Sequence, residues 1–261
     1  CSSDLMKVLV VFNKLSAYKK VIYNALANTL GEKAQIDFFV YHGDFRMFGR
    51  TINEHLEGYH YYVIMPHFTG DDHALFLKLI KKIKASKLII LDHLLEGIEE
   101  FHGAIFQDFK MDIYNAMQEG LALFRKYKKL ILVFPEKVPY PYPKAIIEGF
   151  KNFCILNQFD FKVINEVPES SPIEKGAAYV VIEENDLVNL IKAIRTEELV
   201  LTKDVGILSY NDTALKEVLA EGVSVITTDF VRMGQLASDM ILNQKSGRIK
   251  NDFKFIQRKS L

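Results

Sequence analysis

Several side chains that can bind hydroxyl groups lie directly after apolar runs of the chain. Asp92 follows the run 88–91, Asn185 follows the run 178–182, and Asn211 lies at the end of the run that begins at Val205. Carboxylate and amide groups pair with neighbouring hydroxyls. Aromatic rings such as those of Tyr18 and Phe230 can cover the C–H face of a sugar ring. These residue types indicate a site for a sugar or another small polar molecule.

Each of these residues also has an ordinary structural interpretation. Asn185 can cap the helix that follows it, and Asp186 can do the same. Asn211 can be a turn residue and Asp92 a loop carboxylate, and Phe230 can belong to the apolar core. Both interpretations stay open at the level of the sequence.

Four more residues are candidates for the same site. Ser16 lies in the loop after the first apolar run, and His67 follows a later one. Tyr142 and Lys144 alternate with prolines in a short loop. Lys144 can bind an anionic or hydroxylated group as a point charge, without the planar fork of an arginine.

The segment 67–73 combines two histidines with two aspartates, which raises the question of a metal site. Its spacing matches no metal-binding pattern closely, and an aspartate that opens the next helix is explained by capping and the helix dipole. Gly-rich phosphate loops, nucleophile elbows and Cys–His pairs are absent from the sequence. We therefore expect no metal, no cofactor and no enzyme activity.

The elements that must position these residues alternate between strand and helix. The runs 7–12, 36–41, 61–65 and 88–91 read as buried strands, and helix-period segments such as 19–30 and 75–83 separate them. A second series of the same kind begins near residue 113. The alternation predicts two doubly wound lobes with mostly parallel sheets. Open sheets of this kind bind ligands beyond the carboxyl ends of their strands.

Composition limits the class of protein. The chain has 261 residues, 49% of them apolar, so it can form a large core without a metal or a disulfide. Lys plus Arg and Asp plus Glu both number 33, and this balance argues against DNA binding by the chain itself. With only two cysteines and no apolar run of about 20 residues, a reduced, cytoplasmic protein with no membrane segment is expected.

The first residue is Cys1 rather than methionine. Either the chain is part of a longer protein, or Cys1 is the lipid-bearing end of a processed lipoprotein. The first alternative is favoured.

The second half of the chain contains a series of short motifs. They are Asn185-Asp186, Asp204-Val205, Tyr210-Asn211-Asp212, Asp229-Phe230 and the ending Arg258-Lys259-Ser260. In this order and spacing they resemble the effector-binding domain of lactose-repressor-family regulators. The resemblance implies a periplasmic-binding-protein-like α/β fold, with two parallel-sheet lobes and a ligand cleft between them. Asp92 matches a ligand contact of that family.

The family's topology implies three crossings between the lobes. They place lobe one at 5–106 plus 229–246 and lobe two at 108–227 plus 248–261. The segment Val11 to Lys19 is similar in sequence to the same part of regulators in which this domain follows a GntR-type winged helix. That resemblance implies that the DNA-binding domain precedes this chain and is absent from it.

The chain departs from the family pattern at four positions. Asn211 stands where Asp is usual, Ser209 replaces a Gly, and Asn189 replaces an Ala. Ile146 stands at the position where the family has an Arg that binds the ligand. We expect Lys144, with Tyr142 beside it, to serve in place of that Arg.

The resemblance implies a sugar-sensing domain of a bacterial transcriptional repressor. Its partners would be a small-molecule sugar, DNA through the missing N-terminal domain, and a second copy in a homodimer. The main alternative is a lipid-anchored periplasmic sugar-binding protein of a transporter. A sugar-processing enzyme on a similar fold is a further alternative, which the missing catalytic groups disfavour.

Overall fold

A computed structural model describes residues 5–67, 73–94, 96–136, 138, 142–169 and 172–261. Cys1 and most of the segment 67–73 lie outside these residues. The strands are β1 (Met6–Phe12), β2 (Ala34–Val40), β3 (Tyr61–Ile64), β4 (Leu88–Asp92), β5 (Gly103–Phe106), β6 (Lys129–Val133), β7 (Asp160–Ile164), β8 (Ala177–Val181), β9 (Gly206–Tyr210), β10 (Ser224–Thr228), β11 (Gly247–Lys250) and β12 (Phe253–Ile256).

The helices separate most of these strands. They are α1 (Ala17–Leu30), α2 (Phe45–Glu54), α3 (His73–Ile80), α4 (Phe109–Glu119), α5 (Leu121–Phe124), α6 (Ala145–Leu156), α7 (Glu184–Thr196), α8 (Ala214–Val218) and α9 (Phe230–Leu242). Among the residues that the structure describes, no helix has both the length and the apolarity to cross a bilayer.

The chain folds into two units. Unit 1 is Cys1–Gln107 with Asp229–Asp252, and unit 2 is Asp108–Thr228 with Phe253–Leu261. The sheet of unit 1 has the order β11-β5-β4-β3-β1-β2 and is parallel throughout. The sheet of unit 2 has the order β12-β10-β9-β8-β6-β7 and is parallel except at β12. The predicted α/β class with two parallel-sheet lobes is confirmed.

Both faces of each sheet are covered, which explains the continuous apolar runs in the sequence. In β1, Val8 and Val10 pack into the core on one face, while Leu9 and Val11 pack into the core on the other. Cys154 lies in the core of unit 2, where burial raises the pKa of its thiol to about 12. It therefore packs as a small apolar residue.

The end of the chain differs from the sequence-based division at one point. Residues 248–252 belong to unit 1 and not to lobe two, because β11 extends the first sheet in parallel with β5. The chain enters unit 2 only at Phe253. The predicted bounds came from the topology of the resembled family, and the short, largely exposed strand β11 has no apolar run in the sequence that could have corrected them.

The ending Arg258-Lys259-Ser260 has a structural role within unit 2. The Ser260 hydroxyl donates to the Ile207 carbonyl at 2.7 Å and accepts from the Ser224 N–H at 2.8 Å. The Arg258 N–H donates to the Ser224 hydroxyl at 2.9 Å. These bonds tie the last residues to the amino ends of β9 and β10.

Candidate functional site

Four polar side chains lie at the carboxyl edge of the unit 1 sheet. Asn13 follows β1, His67 follows β3, Asp92 ends β4 and Gln107 follows β5. These strands are neighbours in the sheet, in the order β5-β4-β3-β1. The parallel fold therefore collects the ends of four separate chain segments at one edge, which is where sheets of this type bind ligands.

Asp92 is the centre of this group. His67 Nε2 lies 2.5 Å from Asp92 Oδ2, and the Gln107 side-chain amide donates to Asp92 Oδ1. The Tyr41 hydroxyl accepts the His67 N–H at 2.8 Å and donates to the Met65 carbonyl at 2.9 Å, which fixes the segment after β3. Only 8% of Asp92 is exposed.

The Asp92 carboxyl is held in its ionised form. Burial by itself raises its pKa, but the hydrogen bond and charge of His67, the charge of Lys19 and the hydrogen bond from Gln107 outweigh burial. The result is a pKa of about 2. An ionised carboxylate is a pure acceptor with about four lone-pair positions, so it can accept further hydrogen bonds from a ligand.

Lys19 completes the group from the first turn of α1. Its side chain is buried, and the ammonium donates to the Asn13 side-chain carbonyl. Burial, with a smaller contribution from the charge of Lys14, lowers its pKa to about 8 against the attraction of Asp92. Lys19 shares the inner face of α1 with Ile22, Leu26 and Leu30.

Ser16 and the pair Tyr18–Phe230 border the same end of α1. Ser16 precedes the helix without capping it through its side chain, and its buried hydroxyl has no partner among the described residues. The rings of Tyr18 and Phe230 stack with centroids 4.9 Å apart. Phe230 belongs to the apolar core, and one face of its ring is covered by Tyr18. Tyr18 is the more exposed of the two.

Close packing of α1 against α9 brings these two rings together. A Cβ atom on Gly234 would lie 2.4 Å from the Ile22 carbonyl oxygen, so only glycine permits this approach. The Ser238 hydroxyl adds a hydrogen bond of 2.9 Å to the Leu26 carbonyl. Phe230 therefore reaches Tyr18 through a helix contact between residues far apart in sequence.

Unit 2 has its own group of polar residues at the carboxyl edge of its sheet. The Tyr142 hydroxyl donates to Glu183 Oε1 at 2.6 Å, two residues beyond the end of β8. Asn211 follows β9 directly, and its N–H donates to the Ile226 carbonyl of β10 at 2.8 Å. The Lys216 ammonium, buried under this turn, donates to the carbonyls of Tyr210 and Asn211 at 3.0 and 2.7 Å.

Asn185 is not the cap of α7. The capping position is Glu183, and Asn185 lies exposed in the first turn of the helix. Asp186 does not cap either, because its buried Oδ1 accepts the Val167 N–H at 2.8 Å. Burial raises the pKa of this carboxyl. Asn189 donates to the Val167 carbonyl at 2.9 Å, so its replacement of an alanine serves to hold the loop before β8.

Asp212 binds Arg258 within unit 2. The two carboxylate oxygens accept from the two guanidinium NH groups at 2.8 and 2.7 Å. This bidentate pair links the turn after β9 to the end of the chain, 46 residues away. Within the motif Tyr210-Asn211-Asp212, Asn211 is the candidate for ligand binding, whereas Asp212 has a structural role through its pairing with Arg258.

Lys144 and Ile146 differ in environment. Lys144 is exposed at the start of α6. Ile146, which stands where the family pattern has an Arg, is fully buried beside Phe150. That position therefore presents no side chain to a ligand.

Sequence reasoning missed five residues of the two edges: Asn13, Lys19, Gln107, Glu183 and Lys216. Asn13 and Gln107 directly follow strands, which is the same signal that identified Asp92. Lys19 interrupts the apolar face of α1, and this break in the pattern is a usable signal. For Lys216 the five-residue helix α8 is too short to show a periodic pattern.

Concave surfaces within single units also occur at the amino edges of the sheets. One in unit 2 encloses about 850 Å³ between the end of α7, the segment 199–202 and Ala220. One in unit 1 encloses about 600 Å³ beside Ile80, Leu88 and Ile98. Neither contains a residue predicted for the ligand site. In the described part of the chain, no group of three or more His, Cys, Asp or Glu residues is arranged for a metal ion.

Comparison with known proteins gives a match in structure alone. No protein-family model and no curated protein matches the chain. The Escherichia coli transcriptional repressor ascG is similar, with a TM-score of 0.74 at 15% identity over 98% of this chain and 99% of that chain. The Lac repressor bound to ONPG has a TM-score of 0.75 at 15% identity over 100% of this chain and 83% of that chain. The trehalose repressor from Escherichia coli has a TM-score of 0.76 at 11% identity over 96% and 99%.

These similarities confirm the periplasmic-binding-protein-like fold, as seen in repressors of the lactose-repressor type. At 11–15% identity they establish the fold and not the ligand. The names of these structures give no support to the GntR-type origin predicted from the sequence.

Proposed function

We propose that this chain is the effector-sensing domain of a transcriptional regulator and that it binds a small neutral sugar. The observation that carries the proposal is the buried, ionised Asp92 at the carboxyl edge of the unit 1 sheet, fixed through both oxygens by His67 and Gln107. We expect no catalytic activity.

The charge of this edge favours a neutral ligand. A carboxylate accepts hydrogen bonds from hydroxyl groups and repels phosphate or carboxylate groups on a ligand. The cationic Lys19 is already engaged by Asn13 and by the field of Asp92. A sugar with free hydroxyls satisfies the remaining lone pairs of Asp92, whereas a sugar phosphate places like charges side by side.

Unit 2 offers groups of the same kind. Asn211, Asn185 and Tyr142 can donate to and accept from hydroxyls, and exposed Lys144 can bind an oxygen atom. Together with Ser16, Tyr18, His67, Asp92 and Phe230 in unit 1, these residues form our proposed binding set. That the two lobes share one ligand cleft stays a prediction from the sequence.

Names of structural neighbours supply the wider context. One neighbour is the transcriptional regulator CelR in complex with cellobiose. Another is the Lac repressor dimer bound to operator and to the anti-inducer ONPF. By analogy of fold we propose that this chain forms a homodimer and controls DNA binding through a separate domain. The proposal that this separate domain is a GntR-type winged helix rests only on the sequence of the segment Val11 to Lys19.

A thermal-shift panel of pentoses, hexoses and deoxyhexoses tests the ligand. A ligand at about a hundredfold excess over its Kd stabilises the folded state by about 2.7 kcal/mol, which corresponds to roughly 5–10 °C for a protein of this size. Asp92→Asn should abolish the shift. Asp37→Asn, which alters a carboxylate that accepts from Tyr59 in the same unit, should keep it.

The result that contradicts the sugar assignment is a response to amino acids or nucleobases but to no sugar at millimolar concentration. A gel-shift titration tests the regulatory part. We expect the product of the full gene to bind a two-fold-symmetric operator and to respond to the sugar, and this chain alone to bind no duplex specifically. A signal peptide ending at Cys1 in the gene would instead support a transport role.

A further inference from the structure

Lys216 is a buried cation whose hydrogen bonds go to the backbone. It lies in the short helix α8 and is 3% exposed. Its ammonium donates to two consecutive carbonyls, those of Tyr210 at 3.0 Å and Asn211 at 2.7 Å. Burial of an ammonium group is costly unless hydrogen bonds and opposite charges compensate for it.

The turn that Lys216 holds has an unusual backbone conformation. Asn211 has a φ of 61°, in the left-handed region that L-residues other than glycine adopt at a cost. Its N–H is bound to Ile226 and its carbonyl to Lys216, so the peptide groups on both sides of its Cα are fixed. Conformations of this kind persist only where the surroundings impose them. The direction of the Asn211 side chain follows from these two constraints.

The charges around Lys216 favour its ammonium form. Its pKa is lowered to about 8, chiefly by burial, and the charges of Glu184, Asp212 and Glu183 keep it from falling further. Arg258 adds a repulsion, although its guanidinium is bound to both oxygens of Asp212. Lys216 therefore carries a proton at neutral pH.

We propose that Lys216 is a positioning residue for effector binding, which holds the Tyr210 and Asn211 carbonyls and thereby directs the Asn211 amide toward the ligand. This inference rests on the proposed function, in which Asn211 contacts the sugar. Lys216 itself does not touch the sugar in this scheme. A side chain retained only to fill the space could be methionine, which has a similar shape without the cost of burying a charge.

A double-mutant cycle separates positioning from direct contact. The variants are Lys216→Met, Asn211→Ala and the pair, titrated by calorimetry with the panel sugar that raises the melting temperature most. We expect Lys216→Met to weaken binding about tenfold, within the range for losing charge-assisted hydrogen bonds. In the Asn211→Ala background the same change should weaken binding by less than about threefold, because the residue through which Lys216 acts is already gone.

Ser260→Ala is the matched control. It removes hydrogen bonds to Ile207 and Ser224 at the other end of β9 and β10, so it weakens unit 2 without touching the Asn211 turn. Its sugar affinity should equal that of the wild type. Independent, additive effects of Lys216→Met and Asn211→Ala would overturn the proposal, as would an unchanged affinity in Lys216→Met.

A ligand-free measurement makes the result independent of the sugar assignment. Amide hydrogen exchange by NMR reports on the bond from the Asn211 N–H to Ile226, and Lys216→Met should speed this exchange by about tenfold while Ser260→Ala should not. An unchanged rate overturns the proposal whether or not a sugar binds. If no panel sugar binds the wild type, the proposed function fails. Faster exchange of the Asn211 N–H in Lys216→Met would then still support the inference that Lys216 fixes the backbone of this turn.

Discussion

Both units bury a lysine at the carboxyl edge of their sheet, and the two ammonium groups have different partners. Lys19 of unit 1 donates to the Asn13 side chain and lies in the field of Asp92. Lys216 of unit 2 donates to two backbone carbonyls. The acidic groups near Lys216 act on it through their field, and one of them, Asp212, is bound to Arg258.

The comparison separates two ways of fixing polar groups at the edge of a sheet. In unit 1, a network of side chains sets the charge and orientation of one carboxylate. In unit 2, a cation fixes the backbone from which an amide projects. The first arrangement depends on charge balance, so loss of any member should leave the others unsatisfied. The second should depend mainly on geometry.

The largest effect is expected from removing the centre of the unit 1 network. Asp92→Ala leaves the buried Lys19 without its compensating charge and His67 and Gln107 without their acceptor. Loss of one partner from such a buried group costs about 3–5 kcal/mol of unfolding free energy. Asp212→Ala is the matched change in unit 2 and should cost less, about 1.5–3 kcal/mol, because it breaks charge-assisted bonds that are nearer to solvent. Urea unfolding followed by circular dichroism measures both, and an equal or larger loss in Asp212→Ala would contradict the comparison.

The second-largest effect is expected from the two buried lysines, which should make the free energy of unfolding depend on pH in the alkaline range. Each has a folded-state pKa of about 8 against the ordinary 10.5, so the unfolded chain binds more protons between these values. Stability therefore rises with pH through this window, by at most about 3 kcal/mol per lysine. Lys19→Met and Lys216→Met should each flatten the rise between pH 7.5 and 9.5 in urea titrations. A rise of undiminished slope in both variants would show that neither lysine has a depressed pKa.

Asp92 should make the free energy of unfolding depend on pH in the acidic range. Its pKa falls from the ordinary 3.8 to about 2 on folding, so the stability it contributes is present above pH 3.8 and is lost as pH falls through 2. The difference corresponds to about 2 kcal/mol. Asp92→Asn should be less sensitive to pH between 4 and 2 than the wild type. Unfolding at a series of acidic pH values in urea tests this difference.

Effector binding should distinguish the amide groups of unit 2. Asn211→Ala and Asn185→Ala should each remove hydrogen bonds to the sugar, at about 1–3 kcal/mol, or about 5- to 150-fold in affinity. Asn185 is exposed, so its variant should keep the stability of the wild type. Calorimetry with the panel sugar measures both affinities. Wild-type affinity in both variants would assign these residues to the turn and the helix alone.

The smallest effect on stability is expected at Lys144. This residue is exposed at the start of α6, and Lys144→Ala should change the unfolding free energy by less than about 0.5 kcal/mol. A loss of sugar affinity without a loss of stability would identify Lys144 as a ligand contact in place of the missing Arg. Unchanged affinity would remove Lys144 from the proposed binding set.

Local patterns in the sequence were sufficient to predict the two parallel sheets and the positions of the strand ends. Runs such as Val8–Val11 are apolar on consecutive residues because both faces of the sheet are covered, and this pattern is local. The strand ends that carry Asp92 and Asn211 could be recognised for the same reason, because a polar residue after an apolar run is visible without knowledge of the partners.

Which polar residues contact one another could not be predicted from such local patterns. Asp92 pairs with His67 and Gln107 because β3, β4 and β5 are adjacent in the sheet, and Asp212 pairs with Arg258 across 46 residues. Strand order also decided that β11 belongs to unit 1. These outcomes depend on pairing between distant segments, and a buried charge such as Lys19 or Lys216 is explained only when the atoms that compensate for it are known. Local periodicity contains no information about those atoms.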